Sequence, residues 1–108
     1  MINDLCWNKE FAMGQVDYDD QLLKELITIF QDSSASDMAV LTQAVEKEDP
    51  VEAGSASHSI KGASASLGLE AIRDIAVLIE KDCREGSLTV AREKLPQLAT
   101  LLAQLRQL

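Results

Sequence analysis

Aromatic side chains make up only 4% of this 108-residue chain, although hydrophobic residues reach 46%. A core without large rings has to be assembled from Leu, Ile, Val, Ala and Met. Proline occurs twice and glycine five times. That is too little punctuation for a sheet of many short strands, and it leaves room for long helices. The longest uninterrupted apolar run, Ile75 to Ile79, is far short of the ~20 residues that span a bilayer. The opening segment Met1 to Trp7 has neither a basic start nor an apolar signal core, so no leader is expected.

Positive charge is scarce as well. With 18 acidic and 10 basic residues the formal net charge is -8, which excludes the electrostatic footprint of a nucleic-acid binder and repels anionic lipid. Two cysteines, Cys6 and Cys83, stand far apart in no metal-like spacing, and are expected as reduced thiols of a cytoplasmic protein. A single histidine and no paired Glu-x-x-His leave too few ligands for a metal or haem bundle. No metal and no cofactor are expected. The length suits one domain over residues 1–108, expected as a monomer.

What is present has the period of helices. A first helix is expected from Asn3 to about Met13, capped by Asn3 or Asp4, with Leu5, Trp7 and Phe11 inward and Gly14 ending it. Leu23, Ile27, Phe30, Ser34, Met38, Leu41 and Val45 then keep one phase through the loop-like stretch Gln31 to Asp37. Two helices joined by a loop have no reason to keep that phase, so the spacing predicts one helix from about Asp19 to Lys47. Asp49, Pro50 and Glu52 form a strong helix start with a capping-box pattern. That helix runs to Leu67, with Gly68 as its left-handed terminator. A fourth is expected from about Leu69 to Glu85, burying Ile72, Ala76, Ile79 and Cys83 and stopped by Gly86. A fifth, from about Leu88 onward, buries Ala91, Leu95, Leu98, Leu102 and Leu105, with Pro96 kinking it or splitting off its first turns. Short connections force antiparallel neighbours. The expected fold is all-α: an up-down antiparallel four-helix bundle with a short extra N-terminal helix laid across it.

The third helix carries the lone histidine, His58, in a neighbourhood of serine, alanine and glycine. At about 100° per residue, Ala53, Ala56, Ile60, Ala63 and Leu67 gather on a core face. His58 points away from them, and Val51, Gly54, Ser55, Lys61, Gly62 and Ala65 share its side. Lys61, three residues on, offers a mobile ammonium suited to a phosphate oxygen. Gly62 is the informative neighbour, because mid-helix glycine costs about 1 kcal/mol relative to alanine. Two explanations compete: glycine clears the approach to His58, or it lets another helix pack closely.

The run Ser57-His-Ser-Ile-Lys-Gly62, followed by Gly68, resembles the His-x-(Leu/Ile)-Lys-Gly-(five residues)-Gly signature of histidine phosphotransfer (HPt) domains of bacterial phosphorelays. Phe30, the Glu48-Asp-Pro50 turn, and Leu78-Ile-Glu80 with the later Gly86 fall where that family has similar residues. Ser57 stands where alanine is usual and Ile60 where leucine is commoner; neither change removes a chemical group. The resemblance implies a non-catalytic phosphocarrier. His58 would take a phosphoryl group on Nε2 from the aspartyl phosphate of a receiver domain in a hybrid sensor kinase and pass it to a downstream response regulator. Lys61 would steady the phosphoryl oxygens, and Gly62, with Gly54, Ser55 and Ala65, would admit and dock the receiver. Two rivals stand beside this reading: the phosphoacceptor domain of a chemotaxis-type kinase, and a helical interaction module without phosphate chemistry. A complete histidine kinase is excluded, because no glycine-rich nucleotide loop is present.

Overall fold

The computed structural model describes residues 4–108. It is all-helical: α1 spans Lys9–Gln15, α2 Asp20–Glu46, α3 Pro50–Ser66, α4 Glu70–Arg84 and α5 Thr89–Leu105. Among the described residues there is no strand, only an isolated bridge between Trp7 and Leu69. The ends follow the capping chemistry of the sequence. Asp19 accepts from the Leu22 N–H and Asp49 from the Glu52 N–H, each satisfying a donor that the first helical turn leaves free. Pro50 occupies the first turn of α3, where its missing N–H costs nothing. Gly68 (φ +70°) and Gly86 (φ +83°) reverse the chain after α3 and α4 in the left-handed region. The capping box is only half formed: the Asp49 N–H is already spent on the Ala44 carbonyl, 2.8 Å away, leaving Glu52 nothing to reach back for.

At a rise of about 1.5 Å per residue the 27 residues of α2 account for the 41 Å long axis of the molecule. The helix runs unbroken through its serines. Ser34 is buried in the apolar seam and donates to the Gln31 carbonyl one turn back, so its hydroxyl needs no other partner. Helix α2 packs on α3, α3 on α4, α4 on α5, and α5 returns to α2. The enclosed core contains Phe30, Leu41, Ile60, Ile72, Ile79, Leu98 and Leu105. Pro96 does not split α5, which is continuous from Thr89 to Leu105. Its ring lies on the exposed side. Leu101, not expected in the core, is buried, while Leu95 and Leu102 are only partly so.

The N-terminal expectation needs correction. Asn3 lies outside the described residues. Helix α1 begins at Lys9, not near Asn3, because the capping side chain is Asn8, which accepts from the Phe11 N–H at 3.0 Å. Gly14 falls inside the helix, and Phe11 is exposed. Leu5 and Trp7 precede α1 as a clasp on the α3–α4 corner. The Asn8 N–H donates to the Gly68 carbonyl (2.8 Å), the Ala71 N–H to Leu5 (3.1 Å), and the Trp7 indole to Leu67 (2.9 Å).

Candidate functional site

Small residues let α3 lie close to its neighbours. Ala53, Ala56, Ile60 and Leu67 are buried as the spacing requires, and Ala63 packs against them. Ser57 and Ser64 are buried beside them, each hydroxyl returning to backbone carbonyls of the preceding turn. That leaves His58 on the outer side of a rigid helix, its side chain 60% exposed. The next residue, Ser59, donates to Asp37 Oδ2 at 2.7 Å and ties this turn to α2.

The decisive partner comes from α4. His58 Nδ1 is 2.8 Å from Glu80 Oε2, and the Glu80 side chain is only 6% exposed. Lys61 Nζ meets Glu80 Oε1 at 2.6 Å, and Arg84 meets Oε2 through Nη2 (2.5 Å) and Nε (3.1 Å). Burial by itself pushes the Glu80 carboxyl upward. The hydrogen bonds from Lys61, Arg84 and His58, with the Lys61 charge, outweigh it and hold the carboxyl at about 2, against an ordinary 4.5. An ionised carboxylate only accepts, so Nδ1 carries the proton. In the neutral ring the lone pair is then on Nε2, the nucleophilic position.

Lys61 is therefore not the free, solvated ammonium the wheel suggests. Its side chain is 32% exposed and engaged with Glu80. Gly62 is exposed, and a Cβ built on it meets nothing within 4 Å. Close packing between helices does not account for this glycine. Gly54 is a correction in the opposite sense. Expected on the open side with His58, it is buried, and a Cβ there would stand 3.3 Å from Cys83 Cβ. Gly54 still borders an open recess of about 320 Å³ with Pro50, Val51, Ser55, His58, Cys83 and Arg84. Ser55 and Val51 are exposed on its rim. Ala65 is not brought to it: two turns beyond His58, it lines a separate hollow with Asn8, Phe11 and Gly68. Both cysteines are free, Cys6 exposed and Cys83 buried.

Helical spacing alone did not mark Glu80 and Arg84 as site residues. The available signal was a glutamate directly after Ile79 in the apolar stripe of α4, with an arginine four residues on. A charge beside a buried stripe has to find partners.

The family model described as the Hpt domain matches residues 25–108. No curated protein and no solved structure matches the chain.

Proposed function

The chain belongs to the Hpt domain family, the phosphocarrier modules of two-component phosphorelays, and from that premise we propose that His58 is the residue that carries the phosphoryl group. The observation supporting this reading most directly is the ionised, buried Glu80 opposite Nδ1 of an otherwise exposed imidazole.

The transfer follows from the tautomer. The Nε2 lone pair attacks the phosphorus of an aspartyl phosphate in a receiver domain, the N–P bond forms, and the carboxylate leaves with the electron pair of the broken P–O bond. The Nδ1 proton stays in place against Glu80, so the product is a phosphoimidazolium whose positive ring faces a fixed carboxylate. Onward transfer reverses the electron flow: the N–P bond breaks and neutral imidazole departs. Neither direction needs a proton to move, so the domain carries the group without a general base of its own. Lys61 steadies the phosphoryl oxygens by a charge-assisted contact, and the open space at Gly62 supports in-line approach. The donor is the receiver domain of a hybrid sensor kinase and the acceptor a response regulator. Residues 1–108 act as one monomeric domain, with α2 to α5 running up and down in sequence. Among the described residues no helix is long and apolar enough to cross a membrane.

Incubation with phosphorylated receiver domains, read by radiolabel, tests the proposal. The label should be acid-labile and alkali-stable, and absent from His58→Ala. Label persisting in that variant, or surviving acid, sinks it.

A further inference from the structure

A single carboxylate, Glu80, is shared by three basic side chains. Its Oε2 receives both His58 Nδ1 and the two nitrogens of Arg84, while Lys61 takes Oε1. Glu80 neutralises one charge, and Lys61 with Arg84 supplies two. The cluster therefore has a local positive surplus on a chain of net charge -8. The two cations are not placed alike. Arg84 and His58 border the same open recess, whose other α3 residues, Pro50, Val51, Gly54 and Ser55, all precede His58. Lys61 follows it by one turn and does not line the recess. The imidazole is thus flanked by Lys61 on one side along α3 and by Arg84 on the other.

Resting on the reading of His58 given above, we propose that Arg84 is a second phosphoryl-holding side chain, one that exchanges Glu80 for the phosphoryl group when His58 is charged. Its side chain is 68% exposed, so it is not spent on packing. Its pair with Glu80 joins residues four apart on one helix, and although the carboxylate is buried the guanidinium stands open to solvent, so the fork can turn toward a new anion without unpacking the core. A phosphoryl group offers more charge than a monoanion already shared three ways, and its oxygens match the guanidinium fork. Glu80 keeps Lys61 and the Nδ1 proton after Arg84 swings away, so its burial stays compensated. The charged groups facing the phosphoryl position are His58 and Lys61 from α3, and Glu80 and Arg84 from α4, beside the buried Cys83 thiol. Asp37 of α2 reaches the same turn through Ser59.

The test avoids any receiver. The whole chain is phosphorylated with phosphoramidate, whose P–N bond breaks with loss of ammonia as the Nε2–P bond forms. The ³¹P signal of the phosphohistidine is then titrated with pH. Loss of a cation in contact with the phosphoryl group should make the charged histidine bind its proton about three- to tenfold more tightly in Arg84→Gln, a rise of roughly half to one pH unit. Arg84→Lys should restore most of the shift, and Lys81→Gln, an exposed cation of the same helix, should leave the titration unchanged. The same Arg84→Gln shift should persist in a Glu80→Gln background, as a double-mutant cycle requires of a direct contact. An unchanged titration in Arg84→Gln, or a shift that disappears once Glu80 is Gln, overturns the assignment of Arg84 while leaving His58 standing. No phosphohistidine signal in the wild-type chain removes both.

Discussion

Two glycines eight residues apart on α3 should respond oppositely to the same substitution. At Gly62 a Cβ meets open space, so alanine brings only its helix propensity, about 0.8–1.0 kcal/mol in a helix interior. For a domain near 100 residues a gain of 1 kcal/mol raises Tm by about 4–8 °C. At Gly54 the new Cβ stands 3.3 Å from Cys83 Cβ, and neither atom is the end of a flexible chain. The propensity gain is offset by compression of the α3–α4 contact, which costs about 1–3 kcal/mol where a packed core cannot yield. Urea unfolding of the two alanine variants at matched m-values separates them: Gly62→Ala shifts its midpoint upward, and Gly54→Ala shifts downward or stays level. The functional half uses Gly62→Gln. Glutamine is a good helix former, so the fold is retained, while its side chain stands in the approach to His58 and should slow transfer from a receiver about tenfold or more. Loss of stability in Gly62→Ala would refute the open-space argument. Wild-type transfer in Gly62→Gln would refute the access argument even with the stability result intact.

Lys61→Ala should slow transfer and also destabilise the fold by about 1–2 kcal/mol, because it strips a charge-assisted hydrogen bond from a buried carboxylate; an unchanged urea midpoint would return Lys61 to the solvated surface. Glu80 has a native carboxyl at about 2 against an ordinary 4.5, so in that window the unfolded chain binds the extra proton and stability rises with pH. Its contribution is full above pH 4.5 and is lost as pH falls toward 2. The stability gap between wild type and Glu80→Gln should narrow across that range, and a constant gap contradicts the assignment. Nitrogen-15 spectra of the His58 ring should show Nδ1 protonated and Nε2 bare in the neutral form. In Glu80→Ala the proton should distribute over both nitrogens, and an unaltered tautomer there would mean Glu80 does not fix it.

The helices that pack along their length were legible because local spacing records them. The unbroken phase from Leu23 to Val45 carried α2 through a serine-rich stretch that composition alone would make a loop, and Asp49-Pro50 and Gly68 fixed both ends of α3. The N-terminal segment was not legible, since Leu5 and Trp7 are held by a corner some sixty residues away and not by neighbours on their own helix. The wheel of α3 and the motif both singled out His58 and Lys61. Their common counter-ion was passed over, because a helical wheel shows which way a side chain points and not what the adjoining helix brings to it. The same blindness put Gly54 and Gly62 on one face, although the approach of α4 at Cys83 buries the first and leaves the second open.

The clasp at Gly68 bears on which parts of the molecule breathe first. A Cβ at Gly68 would come within 2.5 Å of the Asn8 carbonyl oxygen, so this glycine of the motif serves the N-terminal crossing and not the histidine. The crossing closes a loop of about sixty residues, an entropic cost that favours its release; two backbone hydrogen bonds, the Trp7 indole, the Asn8 side chain on Glu70 and the buried Leu5 hold it against that cost. A short segment anchored at one corner opens at lower free energy than helices packed along their length. Deuterium should therefore enter the amides of Asn8 and Ala71 together, well ahead of those of Ile60 and Ile79. Through those openings the turns of α3 and α4 that bear His58 and Glu80 keep their protection, so the corner between the two helices can loosen while the His58–Glu80 contact stays built.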